Sequence, residues 1–247
     1  MRLLRIAVRA PLLAAHMAAG AALAWLFGEA LGERFARGWS RIACRIIGLR
    51  ISRRGFPAEP PALWAANHVS WLEALALEAT APLCFVAKSE VARWPVVGRI
   101  AAAAGTLFLR RGSPRAAARV AESAWLRLAE GRSVAVFPEG TSTDGTGVLP
   151  FKSALFEAAA RLGCDVQPVA VRYPSRGAAV APFIGDDEFL PHLLRVLGEK
   201  EIVIELRFLP AFSAHGRGRE DLAEAARDAV VGALPYFRSA ERSLTAP

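Results

Sequence analysis

The chain has 247 residues, of which 53% are hydrophobic, and it carries a formal net charge of +8. This length suits one sizeable domain with a full core, and three widely spaced cysteines argue against a disulfide framework or a metal site and for a reducing compartment. The charge leaves nucleic acid and anionic lipid as partner classes, and because no zinc spacing or RNA-recognition aromatic signature accompanies it, we expect lipid and no nucleic acid.

The first predicted element is the apolar run at residues 10–28, which contains no formally charged residue. Arg2, Arg5 and Arg9 precede it. Three interpretations fit this pattern. It could be a signal peptide, a single transmembrane helix of about 20 apolar residues, or a monotopic anchor that enters one leaflet.

The next segment, residues 33–50, has the pattern of a basic amphipathic helix, with arginines at positions 34, 37, 41, 45 and 50. Basic residues therefore flank the apolar run on both sides, and the positive-inside rule keeps both ends in the cytoplasm. This favours a two-helix hairpin in one leaflet over a full span. We expect residues 1–49 to anchor the protein in membrane lipid at the cytoplasmic face of the inner membrane.

From residue 50 onward, short apolar runs alternate with helical patterns, and several runs are continuously apolar, as in strands buried on both faces. The predicted helices are residues 114–130, with Ser113 as N-cap, 152–162 and 220–234. The alternation predicts an α/β fold in which helices flank a mostly buried mixed β-sheet, after an N-terminal membrane-associated helical hairpin. Residues 50–247 then form one domain. The predicted strands are residues 50–54, 62–66, 83–87, 106–110, 133–137, 166–172 and 201–209.

The first segment with chemical potential is residues 67–73, directly after a predicted strand. His68 is followed five residues later by Glu73, so the two side chains can pair across the first turn of a helix. The carboxylate would fix the imidazole tautomer, and the other ring nitrogen could accept a proton from a hydroxyl. A helix-capping turn with an ordinary surface histidine explains the same spacing.

Two further segments also follow predicted strands. Arg110 and Arg111 end an apolar strand, where paired guanidinium groups suit a phosphate or another anion, although a solvated strand end has the same composition. Residues 137–142 contain a glycine turn and hydroxyl groups that could orient a glycerol group or an oxyanion, although a plain turn would also fit. Lys152 places one cation just beyond this loop.

In this order the segments resemble the glycerolipid acyltransferase family, which includes the bacterial 1-acylglycerol-3-phosphate acyltransferases. That family is marked by Asn-His-x-Ser-x-x-Asp, then Gly-x-x-Phe-Ile-Asp-Arg, then Phe-Pro-Glu-Gly-Thr-Arg-Ser, then a proline in a late apolar strand. The matching segments here are residues 67–73, 105–111 and 137–142, and the late proline is Pro168. The resemblance covers roughly residues 50–210.

The resemblance implies a role for each matching residue. His68 is the catalytic base and Glu73 its carboxylate partner, while Arg111 binds the acceptor phosphate. Glu139 and Gly140 match the acceptor-binding block, in which the glutamate contacts the glycerol portion. Donors near Gly140 and Thr141 would stabilise the oxyanion.

The chain departs from the family pattern at three positions. Glu73 replaces an aspartate and adds one methylene, Arg110 replaces an acid, and no arginine follows Thr141. One phosphate-binding cation is therefore missing from the third block, and Arg110 or Lys152 could replace it. These changes affect the acceptor more than the reaction.

The resemblance therefore implies an O-acyltransferase that needs no metal or cofactor. The donor is an acyl-carrier-protein thioester or acyl-CoA, and the favoured acceptor is 1-acylglycerol-3-phosphate, which would give phosphatidic acid. One alternative is an acyltransferase for a non-phosphate lyso-lipid, such as a lyso-aminolipid. The other is a catalytically silent membrane-binding relative, which the change at Glu73 keeps open.

Overall fold

A mixed β-sheet lies at the centre of the structure, a computed structural model that describes residues 1–28, 32–94, 96–110, 112–174 and 177–234. In chain order the strands are β1 Leu49–Arg54, β2 Ala62–Ala66, β3 Cys84–Lys88, β4 Leu107–Leu109, β5 Val134–Val136, β6 Asp165–Arg172, β7 Ile202–Phe208 and β8 Phe212–Ser213. Their spatial order is β1-β7-β6-β2-β5-β3-β4, and β8 pairs with β6. Neighbouring strands are parallel except where β6 meets β7 and β8.

Helices cover both faces of this sheet. In the described ranges the helices are α1 Arg2–Phe27, α2 Gly32–Ile47, α3 Leu72–Thr80, α4 Val97–Ala103, α5 Pro114–Ala129, α6 Glu157–Leu162, α7 Gly177–Val180, α8 Phe189–Gly198 and α9 Arg219–Ala233. One face of the sheet packs against α1, α2, α3 and α8 and forms the first core, and the other packs against α5, α6 and α9 and forms the second core. Side chains of β2 alternate between the two, since Trp64 joins the first core and Leu63 and Ala65 join the second.

The predicted α/β fold with a mixed, mostly buried sheet is confirmed. All five residues of β2 and all three of β5 are buried, which is why their sequences are continuously apolar. The Ser113 hydroxyl accepts a hydrogen bond from the Ala116 N–H at 3.2 Å and caps α5 as expected. The helix expected at residues 152–162 begins as a 3₁₀ turn at Ser153–Phe156 and continues as α6.

The helices α1 and α2 pack on the rest of the chain. Leu13 of α1 and Ile47 of α2 are buried in the first core. The guanidinium groups of Arg5 and Arg9 donate hydrogen bonds to main-chain oxygens at the end of α8, including that of Gly198 at 2.8 Å. These bonds satisfy carbonyl groups that a helix end leaves without partners. The division into an anchor at residues 1–49 and a domain at residues 50–247 stays a prediction.

By length and composition, α1 could cross a membrane. It has 26 residues, and only 17% of its most apolar window is buried. Its outward face presents large apolar side chains, among them Leu4, Val8 and Leu12. A helix that is docked on one side and apolar on the other fits association with lipid along its length.

Candidate active site

His68 lies in the loop that joins β2 to α3. The preceding residue, Asn67, is buried, and its side-chain amide exchanges two hydrogen bonds with the main chain of Val171 in β6, at 2.9 and 2.7 Å. The amide thus extends the β2–β6 pairing one position beyond the end of β2. This fixes the point at which the chain turns out of the sheet and presents His68.

The main chain of His68 is held from two sides. Its N–H donates to the Glu139 carboxylate at 2.6 Å, and its carbonyl oxygen accepts from the N–H of Thr143 at 2.9 Å. The imidazole stacks on the ring of Phe137, with centroids 4.3 Å apart and planes at 22°. Because β2 and β5 are parallel neighbours, the loops that follow them meet at one edge of the sheet and hold this histidine.

Glu73 is fully buried in the first turn of α3. One of its oxygens accepts hydrogen bonds from the N–H groups of Val69 and Ser70 at 2.6 and 2.7 Å, and the other accepts from Ser70 at 2.8 Å. Its Oε2 also lies 3.9 Å from His68 Nδ1. The carboxyl group therefore caps the turn and faces the imidazole, which combines the two interpretations of the His68–Glu73 spacing.

Burial raises the pKa of Glu73 to about 8, although the Val69 and Ser70 N–H groups favour the ionised form. An imidazolium at 3.9 Å would lower that pKa, because an opposite charge at this range stabilises the carboxylate. The negative charge is thus most favoured when His68 has taken up a proton. That is the electrostatic requirement for a partner of a general base.

Glu139 is 2% exposed, and both of its carboxylate oxygens accept main-chain hydrogen bonds. One bond comes from His68 and the other from Leu149, at 2.8 Å. Burial raises the pKa of Glu139, and the two N–H donors oppose this rise. In this structure Glu139 fixes the histidine loop, and its expected contact with the acceptor stays a prediction.

Lys152 and Gly140 lie against each other. Gly140 has a φ of +75°, and a Cβ placed there would stand 2.5 Å from the Lys152 ammonium nitrogen. The glycine therefore supplies both the left-handed turn and the space for the lysine side chain. The predicted cation beyond the third block lies over this loop.

The loop donors near Gly140 are partly engaged within the protein. The Gly140 N–H donates to the carbonyl oxygen of Phe137 at 3.0 Å, and the Ser142 hydroxyl donates to the carbonyl oxygen of Phe183. Thr141, between them, is exposed. The predicted role of donors near Gly140 and Thr141 in stabilising the oxyanion stays a prediction.

The second matching segment, residues 105–111, is farther from His68 than the loop at residues 137–142 is. Arg110 is exposed directly after β4, and the strands β5 and β3 separate β4 from β2. Three strand spacings of ~4.8 Å place β4 about 14 Å from β2. Arg111 lies outside the described residues, so its predicted role stays a prediction, as does that of Arg110.

His68 lines an apolar cavity of about 720 Å³. Phe137, Gly140 and Ser142 line the end near the histidine, and Lys88 and Glu90 are charged residues of its wall. Towards the N-terminal helices the wall is formed by α1, α2, α3 and α4. The cavity could hold a long hydrocarbon chain with its reactive end beside His68. Within the described ranges, no group of three or more His, Cys, Asp or Glu residues is arranged to hold a metal ion.

Sequence reasoning missed Thr143 and Trp71. Thr143 binds the His68 carbonyl oxygen through both its N–H and its hydroxyl. Trp71 lines the cavity within the first motif itself. An indole three residues after the candidate base was the available signal for Trp71, whereas nothing in the sequence pairs Thr143 with His68.

Comparisons with known proteins agree with this geometry. A family model described as Acyltransferase matches residues 49–172. A lyso-ornithine lipid O-acyltransferase from Pseudomonas aeruginosa is 40% identical over 83% of this chain and 80% of its own. A 1-acyl-sn-glycerol-3-phosphate acyltransferase from Neisseria gonorrhoeae is 38% identical over 70% of this chain and 69% of its own.

The fold is also that of a solved structure. The crystal structure of a 1-acyl-sn-glycerophosphate acyltransferase from Thermotoga maritima matches with a TM-score of 0.65. The match covers 100% of this chain and 99% of that one at 19% identity, so it supports the architecture alone.

Proposed function

This chain belongs to the acyltransferase family, and from that membership we propose that it transfers a fatty acyl group from a thioester to the hydroxyl of a lyso-lipid. The observation that carries the proposal is the position of His68. Its main chain is fixed at N–H and carbonyl, its ring is stacked on Phe137, and it lines a cavity of about 720 Å³. The enzyme is an O-acyltransferase by its family and relatives, so the silent-relative alternative is set aside.

The proposed reaction is direct transfer without a covalent enzyme intermediate. Nδ1 of His68 faces Glu73, so we assign Nε2 as the atom that takes the proton from the acceptor hydroxyl. The hydroxyl oxygen attacks the thioester carbonyl carbon and forms a tetrahedral oxyanion. As the carbon–sulfur bond breaks, the imidazolium returns its proton to the leaving thiolate, and the products are an ester and a free thiol.

The donor's acyl chain occupies the apolar cavity in this proposal. Its wall is formed mainly by hydrophobic side chains, and burying each methylene of a chain there contributes about 0.8 kcal/mol. The carrier, either coenzyme A or acyl carrier protein, remains outside. Both donors satisfy the chemistry at His68.

For the acceptor, we favour lyso-ornithine lipid. The relative named for that acceptor matches more of this chain than the glycerol-3-phosphate relative, 83% against 70%. The third block has no arginine after Thr141, and the cavity wall carries Lys88 together with Glu78 and Glu90, so it contains charged groups of both signs. Ornithine carries both a carboxylate and an ammonium group, so this mixture suits it better than a phosphate.

1-Acylglycerol-3-phosphate is the second candidate. It is favoured by the Neisseria gonorrhoeae relative and by the arginine pair at positions 110 and 111. Paired guanidinium groups bind a phosphate well because each can donate to two oxygens. The two candidates therefore differ in which cationic residues the headgroup uses.

We place the reaction at the cytoplasmic face of the inner membrane. The outward apolar face of α1 supports contact with lipid, and the basic residues on either side of its apolar run support a cytoplasmic orientation. A lyso-lipid could then reach the site without leaving the leaflet.

The test is an acceptor panel with the purified full-length protein in lipid vesicles. Lyso-ornithine lipid and 1-acylglycerol-3-phosphate are each offered with acyl-CoA and with acyl carrier protein thioester. We expect lyso-ornithine lipid to have the higher kcat/KM by about tenfold or more, which corresponds to roughly 1.4 kcal/mol of differential binding. The reverse preference supports the second candidate. If the protein acylates neither acceptor, the proposed function is contradicted.

A further inference from the structure

An aromatic wall closes one side of the cavity near His68. It consists of Trp71, Trp94, Phe183 and Phe189, all of which line the cavity. The ring of Phe189 packs on Trp71 with a centroid distance of 5.3 Å and on Trp94 with one of 5.1 Å. Trp71 and His68 line the same cavity, so the position of the Trp71 indole affects the shape of the space that His68 faces.

His192 lies behind this wall, on α8. It is fully buried and does not line the cavity. The Trp71 indole N–H donates to His192 Nδ1 at 3.1 Å, and His192 Nε2 lies 3.0 Å from the carbonyl oxygen of Pro182. A carbonyl can only accept, so Nε2 carries the proton and Nδ1 is the acceptor for the indole.

The neutral form of His192 is required by these partners. Protonation at Nδ1 would place a second donor against the indole N–H and break the bond. Burial lowers the pKa of His192 and so favours the same neutral form. With two hydrogen bonds to fixed groups, the ring has a single orientation in the core.

The segment at residues 182–183 also holds the two loops beside His68. The Phe183 N–H donates to the carbonyl oxygen of Val69 at 3.0 Å, and its carbonyl oxygen accepts from the Ser142 hydroxyl. Pro182, the partner of His192, is the residue before Phe183. His192 therefore joins α8, the 182–183 segment and the indole of Trp71 in one hydrogen-bonded unit beside His68.

We propose that His192 is a positioning residue that holds the Trp71 indole as the wall of the acyl cavity, and so determines how tightly the enzyme binds the acyl chain of its thioester donor. His192 acts through Trp71 and does not touch the substrate. The inference rests on the proposed function, because it assigns the cavity to the donor chain. Loss of the hydrogen bond between Trp71 and His192 would leave the thioester carbonyl within reach of His68. It would release the Trp71 indole, which forms the wall that contacts the acyl chain.

Two substitutions of His192 separate its hydrogen bonds. In His192→Asn the side-chain oxygen occupies the place of Nδ1 and can still accept from the indole. In His192→Gln the amide nitrogen occupies the place of Nε2 and can still donate to Pro182, but the indole loses its acceptor. Both variants keep a neutral polar group in the core, so each serves as the control for the other.

We expect His192→Gln to raise the KM for the acyl-thioester donor by about tenfold with little change in kcat, because a buried donor then lacks its partner. His192→Asn should retain most of the wild-type kcat/KM. Trp71→Phe, which keeps an aromatic wall without the N–H, should reproduce the rise in KM. Adding His192→Gln to Trp71→Phe should then cost little more, since both changes remove the same bond.

The measurements are steady-state kinetics of the full-length protein in vesicles, with thermal unfolding recorded for each variant. If His192→Asn and His192→Gln raise the KM equally, the hydrogen bond of the indole does not determine donor binding. The same holds if the effects of His192→Gln and Trp71→Phe add in the double variant. A fall in kcat at unchanged KM would indicate a smaller folded fraction and overturn the inference in the same way. If His192→Gln does not fold, the KM of Trp71→Phe for the donor decides the question. A KM equal to that of the wild type then overturns the inference. An inactive wild-type protein would instead contradict the proposed function.

Discussion

The carboxyl group of Glu73 serves two neighbours, the first turn of α3 and the imidazole of His68. Three hydrogen bonds of 2.6–2.8 Å hold it to the N–H groups of Val69 and Ser70, and Oε2 lies 3.9 Å from Nδ1. The longer glutamate fits here because the turn is built around its oxygens. A change of length or charge at this position therefore disturbs both the turn and the base.

We predict that Glu73→Gln loses most activity and that Glu73→Asp loses a substantial part of it. Glutamine cannot ionise and so cannot form the carboxylate that an imidazolium at His68 would favour, and aspartate retracts the carboxyl group, where a shift of about 1 Å can cost on the order of 10²-fold. The measurement is kcat/KM on the preferred acceptor, with circular dichroism as the control for folding. Full activity of Glu73→Gln would mean that His68 uses another partner, and an Asp variant faster than wild type would show that the glutamate is poorly placed.

The raised pKa of Glu73 also predicts a pH-dependent stability. The folded protein retains this proton up to about pH 8, whereas the unfolded chain releases it near 4.5. The folded state thus binds more protons between these values, so this group's contribution is fully present below pH 4.5 and is lost as the pH rises to about 8. Denaturation of wild type and Glu73→Gln from pH 5 to 8 should show the wild type losing more stability. Parallel profiles for the two proteins would contradict the shift.

The residues of the site were partly predictable from the sequence. The motif spacing indicated His68 and Glu73 as a pair, and the structure places them together because α3 begins directly after the β2 loop. The hydrogen bonds of Glu139 and Thr143 to the His68 main chain were not predictable, since they depend on the parallel pairing of β2 and β5. The bond between His192 and Trp71 joins positions 121 residues apart, and no local pattern indicates such a contact.

Among the elements, the buried strands were the most predictable. A strand such as β2, enclosed on both faces, needs a continuous apolar run, and that run is visible in the sequence. Helix α8 was missed. It is ten residues long, contains Pro191, and presents Leu190 and Leu194 outward, so its pattern lacks the polar face of a surface helix. Strand β8 has two residues, which is too short for any periodicity.

Helix α1 gives a prediction at the scale of an element. Val8 and Leu12 are exposed on its outer face, one turn apart, at 51% and 53%. Replacing both with glutamate should weaken binding to anionic vesicles by at least about tenfold, because each side chain loses roughly 1.5–3 kcal/mol of apolar burial. Flotation with liposomes measures this. The matched control, Val8→Leu combined with Leu12→Met, keeps both side chains apolar and should bind as the wild type does.

This pair of substitutions separates anchoring from folding. Removal of the whole helix would also remove the bonds of Arg5 and Arg9 to the end of α8 and the buried side chain of Leu13. Such a truncation should release the protein from membranes or leave it insoluble. If the glutamate variant still floats with vesicles at high salt, the lipid contact lies elsewhere on the protein.

At the scale of the whole molecule, the sheet places a polar reaction site against an apolar surface. The loops after β2 and β5 supply His68, the proposed base, and the residues that hold it, while α1 and α2 cover the same face of the sheet and line the cavity that His68 also lines. In the proposed reaction, one arrangement thus serves a lipid hydroxyl, a hydrocarbon chain and a membrane. The sequence indicated each part, and the shared cavity followed only from the packing of helices far apart in the chain.

The central claim is that His68 takes the proton of the acceptor hydroxyl. The most direct test is to measure acyl transfer by His68→Ala to the preferred acceptor. The matched control is His215→Ala, because His215 is an exposed histidine. General-base catalysis contributes roughly 10²–10⁴-fold, so we predict a loss of at least about 100-fold for His68→Ala, with thermal unfolding and vesicle binding unchanged and with full activity in His215→Ala. Retention of more than about a tenth of the wild-type turnover by His68→Ala would contradict the account, because a base of ordinary effect cannot be removed at so small a loss.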